Sequence, residues 1–304
     1  MSVKIESMAN SEPSSLINPA SLGIIGYGIV GQAVAYGFSQ PDVKDKYTIK
    51  YYDKYKESTP LEEVVKDSEF IFICLPTPMK ADESGIDLSI IEEMMEEITP
   101  LTDGTDKIIV IKSTVIPGTT VKFVKKYPKS HFAFNPEFLR EASYLEDFVN
   151  SDRHIVGASN DLVSRRVVAL YKQRFPKTPV FQTDPTTAEM VKYMANTYLS
   201  MKVIFANQMY DLCQALGIKY EEVKGMVTAD PRIHDSHLDI TTQRGFSGKC
   251  FPKDTVALLG LARDLNVDLS LIEKMWEINK KIRKVHDWEE IPFAVEGNHK
   301  KVKS

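Results

Sequence analysis

Cysteine is scarce in this sequence, with only three such residues, Cys74, Cys213 and Cys250, among 304. None of them forms a closely spaced pair such as Cys-x-x-Cys, so neither a disulfide framework nor a structural metal site is indicated. We therefore expect a protein of a reducing compartment that holds no metal.

Long hydrophobic runs are also lacking. The longest lies around residues 71–75, far short of the ~20 apolar residues that cross a bilayer. The first 20 residues contain no apolar core behind a basic stretch, which a secretory signal requires. We expect a cytoplasmic protein without a membrane partner.

The sequence has no large excess of one charge sign, since it contains 38 Lys and Arg residues and 42 Asp and Glu residues, for a net charge of −4. Such a balance provides no overall field that attracts nucleic acid. We expect no nucleic-acid partner, and any anionic ligand must be held locally.

What the sequence does contain, from residue 22 to about 183, is an alternation of short β-rich runs with helical patterns. Such alternation predicts βαβ units and a mainly parallel sheet. The predicted strands cover residues 22–25, 47–52, 70–75, 107–111, 131–134, 154–156 and 179–182. The rest of the chain is mostly helical to about residue 286. The expected fold class is α/β, with a Rossmann-like parallel-sheet domain followed by a helical domain built on a long central helix.

The central helix is predicted over residues 185–216. Thr186 and Glu189 are spaced as a capping box at its start. Gly217 stands where a helix C-cap belongs. We place a domain boundary near residue 184.

A glycine-rich loop, Gly26-Tyr27-Gly28-Ile29-Val30-Gly31, follows the first predicted strand and opens a helix. In the dinucleotide fingerprint the first glycine allows a tight turn, the second lets the backbone approach a pyrophosphate, and the third lets the helix pack on the strand. Asp53 stands at the end of the second strand, 22 residues after Gly31, where a carboxylate accepts hydrogen bonds from ribose hydroxyls. This spacing favours NAD, while Lys54 and Lys56 leave NADP as the alternative.

A second distinctive segment is Gly245-Phe246-Ser247-Gly248-Lys249-Cys250-Phe251-Pro252-Lys253-Asp254-Thr255, in which Pro252 signals a helix. Backbone N–H groups at a helix start, together with Lys249 and Lys253, favour the nucleophilic thiolate form of Cys250. Cys74, in an apolar strand, and Cys213, in the central helix, are interpreted as structural.

Two polar pairs are spaced by four residues. Lys192 and Asn196 lie in the central helix and project from one face, where a lysine and an amide can stabilise an oxyanion. Glu137 and Glu141 repeat the spacing with carboxylates, and their repulsion would raise the pKa of one carboxyl and make it a proton shuttle. Taken alone, a pair such as Lys192 and Asn196 is more often a solvated helix face.

Several motifs recur in a specific order. They are Cys74-Leu75-Pro76-Thr77-Pro78, Lys112-Ser113-Thr114-Val115 with Pro117-Gly118-Thr119, the segment from Asn135 to Glu141, Ala188-Glu189 through Lys192 to Asn196, and Cys250-Phe251-Pro252-Lys253-Asp254. From about residue 22 to 280 the chain resembles the UDP-glucose/GDP-mannose dehydrogenase family. Members of that family oxidise the C6 hydroxyl of a nucleotide sugar to a carboxylate, using NAD twice and a cysteine-bound intermediate.

The resemblance implies a role for each matching position. Cys250 is the expected nucleophile, and Lys192 and Asn196 are the expected oxyanion stabilisers. Thr114 and Asp254 form the expected water-positioning and base system, and Glu137 and Glu141 assist proton transfer. The expected NAD-binding residues are Gly26, Gly28, Ile29, Val30, Gly31, Asp53, Pro76, Thr77 and Thr114. The expected substrate-binding residues are Glu137, Phe138, Leu139, Lys192, Asn196 and Arg232, the last offered to a neighbouring subunit.

The chain also departs from the family pattern. Family members continue into a second Rossmann-like domain that holds much of the nucleotide diphosphate, whereas residues 281–303 are too short for one. We expect the UDP-binding half to come from another chain, or the protein to be a short member with weakened substrate binding. Near the expected sugar pocket, Ala142, His234, Ser247 and Lys249 replace residues that are usual in the family.

These expectations combine into four predicted regions: a flexible tail (1–20), a NAD-binding domain (21–184), a central helical domain for dimerisation and catalysis (185–290) and a second tail (291–304).

The leading hypothesis is a NAD-dependent nucleotide-sugar 6-dehydrogenase that converts UDP-glucose to UDP-glucuronate. One alternative is a single-step hydroxyacid dehydrogenase of the 6-phosphogluconate type, which has no use for Cys250. Another is a non-catalytic NAD-binding remnant that serves as a partner subunit.

The central helix carries apolar residues that a small domain does not easily cover, namely Met194, Leu199, Val203, Phe205 and Met209. Together with the resemblance, this surface predicts a homodimer built around the helix. The alternative is burial of the same residues within their own domain.

Overall fold

The computed structural model describes residues 19–298. These residues form two compact units: residues 19–76 and 88–192 make up the sheet unit, and residues 77–87 and 193–298 make up the helical unit. The division between the units falls inside the long helix, whereas the predicted domain boundary, near residue 184, precedes that helix. The predicted tail over residues 1–18 lies outside the described residues, and Ala20 already belongs to the first strand.

Seven strands form the sheet: β1 (Ala20–Ile25), β2 (Tyr47–Tyr52), β3 (Phe70–Ile73), β4 (Ile108–Ile111), β5 (His131–Phe134), β6 (His154–Ala158) and β7 (Val180–Thr183). Their order is β2-β1-β3-β4-β5-β6-β7. All neighbours are parallel except β5 and β6, so β6 and β7 run opposite to the others. The seven predicted strands and the mainly parallel sheet are confirmed.

Ten α-helices accompany the strands in the described part of the chain. They are α1 (Ile29–Phe38), α2 (Leu61–Asp67), α3 (Ser89–Thr102), α4 (Thr119–Lys126), α5 (Tyr144–Val149), α6 (Asp161–Arg174), α7 (Pro185–Leu216), α8 (Tyr220–Thr228), α9 (Cys250–Asp264) and α10 (Ser270–Ile282). The first six and the first turns of α7 belong to the sheet unit.

The sheet is buried on both faces because successive side chains of a strand point to opposite sides. Phe70 and Phe72 of β3 pack into one apolar cluster with α1, α5 and α6. Ile71 and Ile73 pack into the other cluster with α2, α3, α4 and the start of α7. Helices on both faces of a parallel-dominated sheet confirm the predicted α/β class.

Helix α7 begins and ends at the predicted residues. Its first turn is capped by Asp184, which accepts hydrogen bonds from the N–H of Thr187 at 3.0 Å and from its hydroxyl at 2.5 Å. The predicted capping box is wrong, because the Glu189 carboxylate is bound elsewhere, by residues of the loop before α4 and its first turn. Gly217, with a φ of 69°, ends the helix as predicted.

The helical unit contains the later turns of α7 together with α8, α9 and α10. One of its core clusters surrounds Trp276 and Trp288, and a second joins α7 and α8 to Leu238. Residues 229–249, between α8 and α9, form an irregular loop. In this loop His234 has a φ of 57°, a conformation that glycine adopts without strain and other residues rarely adopt.

Residues 77–87 belong to the helical unit although they follow β3 in sequence. The N–H of Met79 donates to the carbonyl of Ala294 at 2.9 Å, and the carbonyl of Met79 accepts from the N–H of Glu296 at 2.7 Å. Ala294 is 2% exposed, so residues 291–298 pack against the unit and differ from the tail expected there. Residues 299–304 of that expected tail lie outside the described residues.

Glu83, in the same segment, accepts hydrogen bonds from the indole N–H of Trp276 at 3.0 Å and from Lys280 at 2.7 Å. Both donors lie on α10. The segment is thus tied to the helical unit at two places. No helix in residues 19–298 has the length and apolar content needed to cross a membrane.

Candidate active site

Loops at the carboxyl ends of four neighbouring parallel strands hold predicted cofactor residues. Gly26 follows β1, Asp53 follows β2, Pro76 comes after β3 and Thr114 after β4. In the sheet β2 lies on one side of β1, and β3 and β4 lie on the other, so the strand order reverses between β1 and β3. Open α/β sheets bind ligands at such a switch point. The structure thus brings these four predicted residues to one edge of the sheet.

The glycine loop meets the steric demands of a dinucleotide site. A β-carbon on Gly31 would lie 2.1 Å from the carbonyl oxygen of Gly26. One on Gly26, whose φ is 91°, would lie 2.6 Å from the carbonyl oxygen of Cys74. A β-carbon on Gly28 would meet nothing within 4 Å. Gly26 and Gly31 are therefore required by the fold, whereas Gly28 keeps space open at the N-terminus of α1.

Ile29 and Val30 form the first turn of α1. No side chain among the described residues caps this turn at Gly28. Its backbone N–H groups are oriented as those that hold phosphate groups in nucleotide-binding folds.

Asp53 is fixed between two loops. Its carboxylate accepts hydrogen bonds from the N–H of Tyr27 at 2.8 Å and from the N–H of Tyr55 at 2.9 Å. Each carboxylate oxygen keeps a further lone pair that can accept a bond from a ribose hydroxyl. Lys56, the residue that left NADP open, donates to the carbonyl of Tyr27 at 2.5 Å.

The open space at Gly28, the uncapped helix start and the anchored Asp53 together fit NAD. Gly28, Ile29 and Val30 would hold its pyrophosphate, and Asp53 its ribose. The chemistry that NAD supplies is acceptance of a hydride.

Lys192, in the second turn of α7, pairs with Glu137 in the segment after β5. Its ammonium donates to the Glu137 carbonyl at 2.6 Å and to the carboxylate at 2.8 Å. Lys192 is 3% exposed and Glu137 9%. The pair is therefore not a solvated helix face, which decides between the two interpretations of Lys192.

The structure changes the interpretation of Glu137 and Glu141. Burial alone would raise the pKa of the Glu137 carboxyl, but the Lys192 ammonium and the N–H of Leu139 bind it and hold that pKa below its ordinary value. Glu141 is exposed and opens a short 3₁₀ turn, while Glu137 lies outside any helix or strand, so the two do not share a helical turn. The predicted raised pKa is therefore wrong for Glu137.

In the helical unit Asn196, Asp254 and Lys253 form a buried network. The amide of Asn196 donates to one oxygen of Asp254 at 2.6 Å, and the ammonium of Lys253 donates to the other at 2.6 Å. Asp254 is fully buried. Cys250 lies one turn before Asp254 as the first residue of α9, and its side chain is exposed. Within this unit the structure brings together three predicted residues: Asn196, Asp254 and Cys250.

The other predicted residues have less uniform surroundings. Phe138 is half-buried and lies under the guanidinium of Arg153, 4.4 Å from its ring centre. Leu139 packs partly against the sheet cluster. Thr77, at the start of the 77–87 segment, is 5% exposed. Arg232 is 88% exposed, and Asp230 holds its guanidinium at 2.6 Å.

Two buried residues that the sequence analysis did not assign to the site support its loops. Lys112, after β4, donates to the side-chain oxygen of Asn135 at 2.6 Å, and burial lowers the pKa of Lys112 to about 8. Glu189 accepts from the N–H of Gly118 at 2.6 Å and of Thr120 at 2.9 Å, and burial raises the pKa of Glu189. Both residues belong to motifs on which the family resemblance rests, and those motifs are the sequence signal that could have assigned them to the site.

In residues 19–298 no group of three or more His, Cys, Asp or Glu side chains is arranged to hold a metal ion.

Comparison with known proteins gives matches to both units. Residues 39–175 match the UDP-glucose/GDP-mannose dehydrogenase family, NAD binding domain, and residues 186–281 match the central domain of the same family. The NAD binding domain agrees with the fit of the glycine loop and Asp53, and the cofactor is NAD.

Individual relatives agree. The chain is 36% identical over 226 residues to a UDP-glucose 6-dehydrogenase of Bacillus subtilis, covering 72% of this chain and 48% of the relative. It is 35% identical over 224 residues to a UDP-glucose 6-dehydrogenase of Rickettsia felis, covering 71% and 48%. The structure of a UDP-glucose dehydrogenase from Pyrobaculum islandicum superimposes with a TM-score of 0.75 at 27% identity, covering 90% of this chain and 70% of that one.

The chain spans about half the length of the curated relatives that it matches. Within that span the two family domains follow each other in order, over residues 39–175 and 186–281. The chain therefore belongs to the UDP-glucose/GDP-mannose dehydrogenase family.

Proposed function

We propose that this protein oxidises the C6 hydroxyl of UDP-glucose to the carboxylate of UDP-glucuronate. The observation that carries the proposal is the placement of an exposed cysteine, Cys250, one helical turn before the buried carboxylate of Asp254. A single-step alcohol dehydrogenase has no use for such a nucleophile, whereas oxidation of an alcohol to an acid needs a way to hold the aldehyde formed midway.

Cys250 acts on that aldehyde. Its sulfur bonds to the aldehyde carbon, the carbonyl oxygen takes up a proton, and a thiohemiacetal results. Loss of a hydride and a proton from this adduct gives a thioester on Cys250. Attack by water then breaks the C–S bond, releases the carboxylate and regenerates the thiol.

The remaining residues stabilise charge and position water. Lys192, held by Glu137, donates to the oxygen that becomes negative in each tetrahedral species. Asn196 adds a neutral hydrogen-bond donor. Thr114 is assigned the role of positioning water, and Asp254 is assigned the role of base. Lys253 and Asn196 hold Asp254 in a fixed orientation, since both donate to it.

The sugar is assigned from the relatives, because those from Bacillus subtilis and Rickettsia felis are UDP-glucose 6-dehydrogenases. Glu137, Phe138 and Leu139 supply the sugar contacts in this proposal, and Arg232, exposed on its loop, extends toward the substrate of a neighbouring subunit. These roles are consistent with the burial of Glu137 and the exposure of Arg232.

The number of NADH molecules formed per sugar tests the proposed reaction. With UDP-glucose limiting and NAD in excess, we expect two NADH for each UDP-glucose, measured by absorbance, and UDP-glucuronate as the product by mass spectrometry. One NADH per sugar would favour a single-step dehydrogenase. If no NADH forms although NAD binds in a calorimetric titration, the result would favour the hypothesis of a non-catalytic NAD-binding protein.

We also propose that the protein is a homodimer built on α7. Large apolar side chains form one stripe along this helix, here called the α7 stripe, with exposed fractions between 38% and 69%: Met190, Met194, Tyr198, Phe205, Leu212 and Leu216. The spacing of four and seven residues places them on one helical face. Val203 and Met209, expected to be exposed, instead pack partly into the two core clusters of the helical unit.

The mass in solution tests the dimer. Light scattering is expected to give twice the 34.4 kDa of the chain for the wild type and 34.4 kDa for a Met194→Asp/Phe205→Asp variant. Leu265→Asp, which changes a 62% exposed residue outside the stripe, is the matched control and keeps the dimer mass. A wild-type mass of one chain would contradict the proposal.

A further inference from the structure

The loop between α8 and α9 holds two polar residues that the proposed reaction does not use, Ser236 and His237. The Ser236 hydroxyl and Nδ1 of His237 are 2.5 Å apart, and both side chains are half-buried. The His237 ring lies 5.7 Å from the ring of Phe251, measured between centroids. Phe251 directly follows Cys250 in the first turn of α9. This contact places an imidazole at the helical turn that carries the nucleophile.

The position of this imidazole is fixed from both sides of the loop. Upstream, Lys202 of α7 donates to the carbonyls of Ile233 and His234 at 3.3 and 2.9 Å. Downstream, the hydroxyl of Tyr220 donates to the carbonyl of Leu238 at 2.8 Å, and Leu238 is buried.

The backbone between these anchors is strained. His237 has a φ of 66°, in the left-handed region that residues other than glycine rarely adopt. The anchors hold His237 in this conformation, and its ring is directed toward α9.

Several charged groups around the loop are bound to other groups. Lys224 of α8 forms ion pairs with Asp235 and Asp239 on either side of the Ser236 and His237 pair. Lys253 of α9 is bound to Asp254. Lys202 faces backbone carbonyls, and Lys249 precedes Cys250. Among these groups histidine is the type that changes its charge between pH 5 and 8.

Asp254 is poorly suited to remove the thiol proton. It is fully buried, and both of its oxygens accept hydrogen bonds from Asn196 and Lys253. As a residue type, a carboxylate is a weaker base toward a thiol than an imidazole is. A neutral imidazole matches the thiol more closely, because both ionise near neutral pH.

We propose that His237, oriented by Ser236, accepts the thiol proton of Cys250 and remains as an imidazolium opposite the thiolate. The S–H bond breaks, the proton bonds to Nε2 of His237, and Nδ1–H donates to the Ser236 hydroxyl. His237 is a positioning residue in this proposal, since it acts on the sugar only through Cys250. The role rests on the nucleophilic function proposed above for Cys250.

Alkylation of Cys250 by iodoacetamide tests this pairing without NAD or sugar. The rate would be measured between pH 5 and 9 by mass spectrometry of the peptide that contains Cys250. In the wild type we expect the rate to rise near pH 6 to 7, below the ionisation of an ordinary thiol at about 8.5. In His237→Gln that rise is expected to move toward the ordinary value and to lower the rate at pH 6.5 about tenfold.

Two variants serve as comparisons. Ser236→Ala, in the same loop, is expected to shift the profile in the same direction by a smaller amount. His286→Gln changes a histidine outside the loop, whose ring lies against Trp288, and is expected to leave the profile unchanged. Superimposable profiles of wild type and His237→Gln would overturn the proposal. A wild-type alkylation rate that rises only near pH 8.5 would also overturn the proposal, and this measurement does not depend on whether any variant folds.

The outcome is separate from that of the proposed function. If UDP-glucose is not oxidised but the alkylation profile depends on His237, the proposed reaction is wrong and the proton transfer from Cys250 to His237 is supported. If two NADH form per sugar but the profile does not depend on His237, the proposed reaction is supported and the proton transfer to His237 is wrong.

Discussion

Replacing Cys250 with alanine is expected to lower steady-state NADH formation from UDP-glucose by at least ~10³-fold. Without the sulfur, the aldehyde from the first oxidation has no covalent anchor, so the second oxidation and the hydrolysis cannot follow on the enzyme. A stopped-flow trace of NADH absorbance would show at most one NADH per active site. Because Cys250 is exposed, the substitution leaves no buried cavity and the fold is expected to be retained.

Cys213→Ala is the matched control, since it also removes one sulfur. Cys213 is 6% exposed and packs with Tyr220 between α7 and α8. Its loss is expected to cost about 1 kcal/mol in the free energy of unfolding and to leave turnover within about twofold. Turnover of Cys250→Ala with two NADH per sugar would rule out the covalent mechanism.

Lys192→Met is the second substitution with a large expected effect. Lys192 and Glu137 form a buried ion pair, and removing the ammonium leaves the Glu137 carboxylate uncompensated. We expect the free energy of unfolding to fall by about 3–5 kcal/mol, measured by urea denaturation. Turnover is expected to fall by a further ~10²–10³-fold at temperatures where the variant is folded, because an oxyanion donor is lost.

A double variant separates the two effects. In Lys192→Met/Glu137→Gln both charges are removed, while the amide oxygen can still accept from the N–H of Leu139, as the carboxylate does at 2.7 Å. Stability is expected to recover by at least half of the lost free energy, and turnover is not. An unfolding free energy of Lys192→Met equal to that of the wild type would show that the pair is not buried as described.

Much of the fold follows from local patterns in the sequence. The seven strands are short runs of β-branched and aromatic residues, and each is bounded by polar or helical sequence. Pro185 and Gly217 mark the ends of α7 because proline suits the first turn of a helix and glycine adopts the left-handed C-cap. The glycine loop and Asp53 could also be predicted from the sequence, since their spacing reflects one βαβ unit.

The errors concern side chains whose partners are distant in sequence. Glu189 has the spacing of a capping box, but in the fold it binds Gly118 and Thr120. Glu137 was paired with Glu141 by spacing, whereas its partner is Lys192. In both cases a buried carboxylate takes the donors that the tertiary structure offers, and no local periodicity encodes that choice.

The order in which the chain is synthesised has a consequence for the segment that carries Met79 and Glu83. Its partners, Trp276, Lys280, Ala294 and Glu296, are made about 200 residues later. While β1 to β7 acquire their neighbours progressively during translation, Met79 must wait for almost the whole described chain to emerge. Completion of the helical unit is therefore a late and non-local event, and the interval before it is when this stretch of chain is open to proteases and chaperones.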